Sequence, residues 1–120
     1  MSCSILIVDD EPGIRQALKK ILQSAGHRTE EATTGLDALR AVRANRYDLV
    51  TMDMAMADMD GVDTVSVLRT EIDVPIVAIS GHLTEKIRAD LKNRQVTHFL
   101  EKPFGKQEVL DVVQQALAAR

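Results

Sequence analysis

Polar residues that could share one piece of chemistry stand at the ends of short apolar runs. Asp9 and Asp10 follow Ile5-Leu6-Ile7-Val8, and Asp53 closes Leu49-Val50-Thr51-Met52. Ser80 closes Ile76-Val77-Ala78-Ile79, and Lys102 comes just after the run from Val96 to Leu100. A carboxylate is an oxygen ligand for a hard cation and a nucleophile for phosphorus, and an ammonium is a mobile point charge for an anion. An aspartate after a strand is ordinarily a turn former or a helix cap. That reading suits any one of these residues and does not explain the set. In an open parallel α/β sheet, ligands bind outside the carboxyl ends of the strands, which would make one site from residues scattered over most of the chain.

The elements that must position them follow from pattern. Ile5 to Val8 is a continuous β-branched-rich run, as in a strand buried on both faces. Pro12 then suits a first helical turn, and Ile14, Ala17, Leu18, Ile21, Leu22 and Ala25 recur at helical spacing until Gly26 caps the helix. His27 to Ala32 is short and charged, which fits a strand at a sheet edge. A second helix is expected from about Leu36 to Ala44, with Leu36, Leu39 and Val42 on one side. Leu49 to Met52 is the third strand, and a third helix is expected from about Val62 to Thr70. Pro75 opens the fourth strand, Ile76 to Ile79. Thr84 suits the N-cap of a fourth helix to about Asn93, with only Leu83, Ile87 and Leu91 on its apolar side. So thin an apolar stripe implies a loosely held helix, able to move or to carry a partner surface. Val96 to Leu100 is the fifth strand, and Val109, Val112, Val113, Ala116 and Leu117 mark the last helix. Five strands alternating with five helices over short loops imply one α/β domain over 1–120, a parallel sheet covered on both faces.

Composition narrows the function. At 120 residues the chain suits one domain, and with 2% aromatic residues its core must be aliphatic and methionine-filled. A net charge of −3 and no basic run give nucleic-acid binding little support. Arg40, Arg43 and Arg46 read as a solvated helix face. The single cysteine, Cys3, precludes an intramolecular disulfide and fits a reducing compartment. No stretch approaches the ~20 apolar residues of a membrane span, and the N-terminus lacks a signal-like pattern, so a cytoplasmic, soluble protein is expected.

Asp9-Asp10 after the first strand, Asp53 after the third, Ser80 after the fourth and Lys102-Pro103 after the fifth together resemble the receiver domain of two-component response regulators. Met59-Asp60-Gly61 resembles the family's loop as well. The resemblance covers essentially the whole chain and implies a flavodoxin-like doubly wound sheet with strand order 2-1-3-4-5. In that order strands one and three are neighbours, about 4.8 Å apart. Asp9 or Asp10 would then lie within roughly 5 Å of Asp53, where two carboxylates repel by about 3 kcal/mol at an effective dielectric of about 20. A cation relieves that repulsion. An oxygen-only, partly hydrated site suits Mg²⁺, and Mn²⁺ can substitute.

By resemblance, Asp53 is the phosphoacceptor, and Asp10, Asp53 and the backbone carbonyl of Ala55 ligate the metal, with Asp9 in support. Lys102 would bridge about 10 Å of backbone separation to reach the phosphoryl oxygens. Ser80 would donate to the same oxygens, and Phe99 would move with it as a switch residue. A cis Lys102-Pro103 bond is implied too. A histidine kinase or phosphotransfer protein, docking near helix one, would supply the phosphoryl group. The domain would catalyse only its own phosphoryl transfer and a slow self-dephosphorylation, and would signal through the fourth helix, fifth strand and fifth helix. That face also admits a dimer. The reader would be a downstream protein or an output domain of a longer chain, with no nucleic-acid or membrane contact from this domain.

Three positions depart from the family pattern. Ala57 stands where many receivers have Pro, Ala55 offers no polar side chain to position an attacking water, and Gly81 leaves the site open beside Ser80. His82 is either an exposed histidine or a contact to water or phosphoryl. Met54, Met56 and Met59 read as adaptable loop packing or as a partner surface. Other classes on the same fold fit less well. A flavodoxin needs a hydroxyl- and Gly-rich loop where Asp9-Asp10-Glu11 stands, and a haloacid-dehalogenase-like phosphatase needs an acid at Ala55. A phosphorylation-independent protein-interaction module remains the alternative.

Overall fold

The computed structural model describes residues 2–56 and 60–119. Its elements run β1 (Ser4–Val8), α1 (Pro12–Ser24), β2 (Arg28–Ala32), α2 (Gly35–Ala44), β3 (Leu49–Asp53), α3 (Gly61–Arg69), β4 (Ile76–Ser80), α4 (Glu85–Lys92), β5 (His98–Glu101) and α5 (Lys106–Ala118). The strands form one parallel sheet, as their pattern implied, in the order β2-β1-β3-β4-β5 that the family resemblance implied. The charged strand β2 is at the edge, with only Ala32 of it buried.

Strand alternation sorts the core into two halves. Ile5, Ile7, Leu49, Val77, Ile79 and Leu100 pack on one face against Leu18 and Leu22 of α1 and Val109, Val113 and Ala116 of α5. Leu6, Val8, Val50, Met52, Ile76 and Ala78 pack on the other against Ala38 and Val42 of α2, Val65 and Leu68 of α3 and Leu91 of α4. Carried past the strand ends, the same alternation puts Asp9, Asp53 and Lys102 on the α1/α5 side. Ser80 has the parity of the α2/α3/α4 side, where half-buried Phe99 packs.

Helix termini follow local chemistry. Pro12 occupies the first turn of α1, and Gly26 takes φ +88° just beyond its end. Thr34, Asp60 and Thr84 cap α2, α3 and α4 by accepting backbone N–H bonds from Asp37, Val62 and Ile87 at 3.0, 2.9 and 3.1 Å. Among the described residues, no helix is long and apolar enough to cross a membrane.

Several expectations need correction. Leu36 does not face the core: it is 52% exposed, and Gly35, Ala38 and Val42 are buried instead. Six residues at about 100° each leave Leu36 roughly 120° round the helix from Val42, so the face that buries Gly35, Ala38 and Val42 turns Leu36 outward. Ala25, the expected end of the α1 stripe, is exposed. The fifth strand starts at His98 rather than Val96, because Val96 N–H still bonds to Leu91 O at 2.9 Å, closing α4 through Gln95 at φ +58°. Val96 is nonetheless fully buried. The readings placed on Ala57 and Met59 lie outside the described residues. Of the other loop methionines, Met56 is buried and Met54 packs against the core, in keeping with loop packing.

Candidate functional site

The carboxyl ends of β1, β3 and β5 bring Asp9, Asp53 and Lys102 together. β1 and β3 are adjacent and in register, Val8 opposite Met52, so the next residues along, Asp9 and Asp53, sit side by side. Both are buried, at 0% and 1% exposure. Lys102 approaches from β5, and its Nζ lies 3.5 Å from Asp53 Oδ1, 3.5 Å from Asp9 Oδ2 and 3.2 Å from Glu11 Oε1. Its backbone N–H bonds to Ser80 O at 2.9 Å, which anchors the start of its loop on β4, and the Lys102-Pro103 bond is cis.

One carboxylate oxygen from each of Asp9, Asp10, Glu11 and Asp53 falls within 4.8 Å of the others. Asp9 Oδ1 accepts the Glu11 N–H at 2.9 Å, and Asp53 Oδ1 accepts the Ala55 N–H at 3.2 Å. Asp9 Oδ2 is buried and accepts no hydrogen bond. Burial pushes the Asp9 carboxyl up to about 6. The Asp53 charge adds to the rise, while the Glu11 N–H and the Lys102 ammonium oppose it. Burial acts to lower the Lys102 ammonium, but the charges of Asp53 and Asp9 outweigh it and hold it above the ordinary lysine range. The site is therefore rich in negative charge with one ammonium for partial compensation. An all-oxygen donor set with an unsatisfied buried carboxylate oxygen fits a hard divalent cation.

Ser80 stands at the tip of β4, buried, and its hydroxyl is engaged locally. Oγ accepts the His82 N–H at 3.1 Å and donates to His82 O at 3.2 Å. Phe99 lies on β5 below the Arg88 guanidinium, 4.8 Å from ring centroid to carbon, and Arg88 also pairs with Glu101 at 3.6 Å. Ala55 is exposed beside Asp53. In the sequence Glu11 reads only as a residue that stops β1. Its place as a Lys102 partner follows from the turn into α1, and the acidic run Asp9-Asp10-Glu11 was the available signal.

Residues 5–114 match the response regulator receiver domain. The chain belongs to that family. As a receiver domain of two-component response regulators it has curated relatives of two kinds. Sporulation initiation phosphotransferase F of Bacillus subtilis is 38% identical over 120 residues, covering 98% of this chain and 95% of that protein. Transcriptional regulatory protein KdpE of Mycobacterium tuberculosis is 32% identical over 106 residues, covering 88% of this chain but 47% of that protein. The receiver thus spans about half the length of KdpE. Among solved structures, the receiver domain of the sensor histidine kinase PA1611 of Pseudomonas aeruginosa superposes with a TM-score of 0.87 at 26% identity, covering 98% of this chain and 99% of that one. That structure holds a magnesium ion in its active site cleft.

Proposed function

We propose that this receiver is a phosphorylation-controlled switch in which Asp53 accepts the phosphoryl group. The observation that carries the reading is the buried Asp53 carboxylate, 3.5 Å from the Lys102 ammonium and beside Asp9 at the strand ends. Asp10, Asp53 and the Ala55 carbonyl would hold Mg²⁺, with Asp9 in support, and Mn²⁺ can take its place. When bound, the cation offsets the repulsion between two anions and aligns the incoming phosphoryl group.

In the transfer step an Asp53 oxygen attacks phosphorus as the bond from phosphorus to the donor's histidine nitrogen breaks. The leaving imidazole keeps the electron pair and takes a proton. Lys102 neutralises charge on the phosphoryl oxygens. Ser80 then has a choice of partners, the His82 backbone or a phosphoryl oxygen. Exchange of the first for the second would draw the β4–α4 loop inward, with Phe99 and α4 following as a two-state element.

The donor is a histidine kinase or phosphotransfer protein, and the reader is a downstream protein or output domain contacting α4, β5 and α5, a face through which a dimer can also form. The chain turns over no external substrate beyond its own phosphorylation and slow dephosphorylation. A cytoplasmic location suits the family's setting and the single cysteine. Beryllofluoride, a phosphoryl mimic, tests the reading by NMR. Mg²⁺-dependent shifts around Asp53 are expected, and none in Asp53→Asn. Shifts that persist in Asp53→Asn, or no binding in the wild type, would favour the phosphorylation-independent interaction module.

A further inference from the structure

Arg15, in the first turns of α1, reaches back over the end of β1. Its Nη1 donates to Asp9 O at 2.9 Å, and its Nε donates to Glu31 Oε1 at 3.1 Å. The side chain is 16% exposed, so the fork is largely shielded from water. Glu31 lies on β2 opposite Ile7, whose side chain belongs to the sheet face that α1 covers, which is why a residue of α1 can meet it. Lys19 Nζ stands 4.0 Å from the other Glu31 oxygen and helps to hold that carboxylate. Asp9 N–H bonds to Ala32 O at 3.1 Å. The Asp9 backbone is therefore held on both sides, its N–H by β2 and its carbonyl by Arg15.

That carbonyl belongs to the peptide joining Asp9 to Asp10, so its orientation sets where the Asp10 chain departs. We propose that Arg15, steered by Glu31, is a positioning residue that fixes the Asp9–Asp10 peptide so that both carboxylates face the cation. The inference rests on the Mg²⁺ reading of the site. With its fork given to Asp9 O and Glu31 Oε1, Arg15 would act through the Asp9–Asp10 peptide rather than by direct contact with the cation or the phosphoryl group. Partners one shell out from ligating groups are generally worth a sizeable factor in metal affinity, and Arg suits this one because its rigid fork serves two acceptors at once.

Positioning and plain charge predict opposite signs. As a nearby cation, Arg15 repels Mg²⁺, so a purely electrostatic role makes Arg15→Gln bind Mg²⁺ more tightly. A positioning role makes it bind more weakly. Titration calorimetry with Mg²⁺ on the wild type, Arg15→Gln, Arg15→Lys, Glu31→Gln and the double variant Arg15→Gln/Glu31→Gln separates them. Urea unfolding without Mg²⁺ shows that each variant is folded. The Mg²⁺ Kd should rise by roughly 10-fold in Arg15→Gln, the low end for a partner that acts through the backbone. Arg15→Lys, with one point charge and no fork, should fall short of wild-type affinity. Glu31→Gln should weaken binding by a smaller factor and add nothing to Arg15→Gln, and this exposed change keeps the test alive if Arg15→Gln fails to fold. An unchanged or lower Kd in Arg15→Gln, or a wild-type Kd in Arg15→Lys, overturns the proposal. If Asp53→Asn weakens Mg²⁺ binding while Arg15→Gln does not, only this inference falls. If the wild type binds no Mg²⁺, the metal reading falls with it.

Discussion

Lys102 Nζ stands equally far, 3.5 Å, from Asp53 Oδ1 and Asp9 Oδ2, two buried carboxylates on neighbouring strands. One ammonium thus serves both acids. Its removal leaves two buried, facing carboxylates without a counter-charge. Lys102→Ala should lose about 1–3 kcal/mol of stability without Mg²⁺, with part of the loss recovered when Mg²⁺ is added. Urea unfolding with and without Mg²⁺ measures this, and a loss that Mg²⁺ does not reduce would argue against a cation between these carboxylates.

Asp9 gives stability a pH dependence of definite sign. Its folded pKa is raised, to about 6 from 3.8, by burial and then by the Asp53 charge. The folded state therefore holds the proton more tightly than the unfolded chain. The resulting stability is fully present below the unfolded pKa and is lost as pH rises through about 6. In the Mg²⁺-free protein, Asp9→Asn should therefore be more favourable at pH 7 than at pH 4.5, by on the order of 2 kcal/mol relative to the wild type. A stability difference between the two proteins that is the same at both pH values would remove the effect. Because Mg²⁺ needs the ionised form, its affinity should also weaken below about pH 6.

Most of the sheet and of this site was legible in the sequence because burial and chemistry are segregated along each strand. β1, β3 and β4 are apolar, Thr51 aside, where two helical layers cover them and turn polar at the carboxyl tip, so Asp9, Asp53 and Ser80 each mark a strand end and the candidate site. The less legible parts depend on contacts between distant elements. Leu36 looked like core because it is apolar and three residues from Leu39, yet the sheet takes the face of Gly35, Ala38 and Val42, from which Leu36 is turned away. Val96 looked like strand because a buried valine closing α4 has the same composition as one opening β5. Arg15 and Glu31 are common surface residues, 16 positions apart, and only the β2–β1 register brings them together over Asp9.

Gly61 holds the loop after Asp53 by close approach. A Cβ there would lie 2.7 Å from both Cα and O of Met54, backbone atoms that cannot yield without moving the residue next to Asp53. Gly61→Ala should cost about 1–3 kcal/mol and displace the Met54 and Asp53 amide resonances. Wild-type stability with unchanged resonances would contradict the packing account.

On the proposed reading, Ala55 sets how long a phosphoryl group on Asp53 would last. The residue is exposed beside the acceptor and offers a methyl group where a polar side chain could orient water. Ala55→Asn should speed phosphoryl loss by on the order of tenfold. No acceleration would detach the slow decay from this position.

The most direct measurement of the central claim is the site of phosphorylation itself. The wild type, incubated with Mg²⁺ and a small-molecule phosphodonor, should gain one phosphoryl group, located by peptide mass spectrometry on Asp53 and labile to hydroxylamine as an acyl phosphate is. Chelating Mg²⁺ or substituting Asp53→Asn should abolish it. A phosphoryl group found on another residue of the wild type, or labelling of Asp53→Asn at the wild-type rate, would contradict the account.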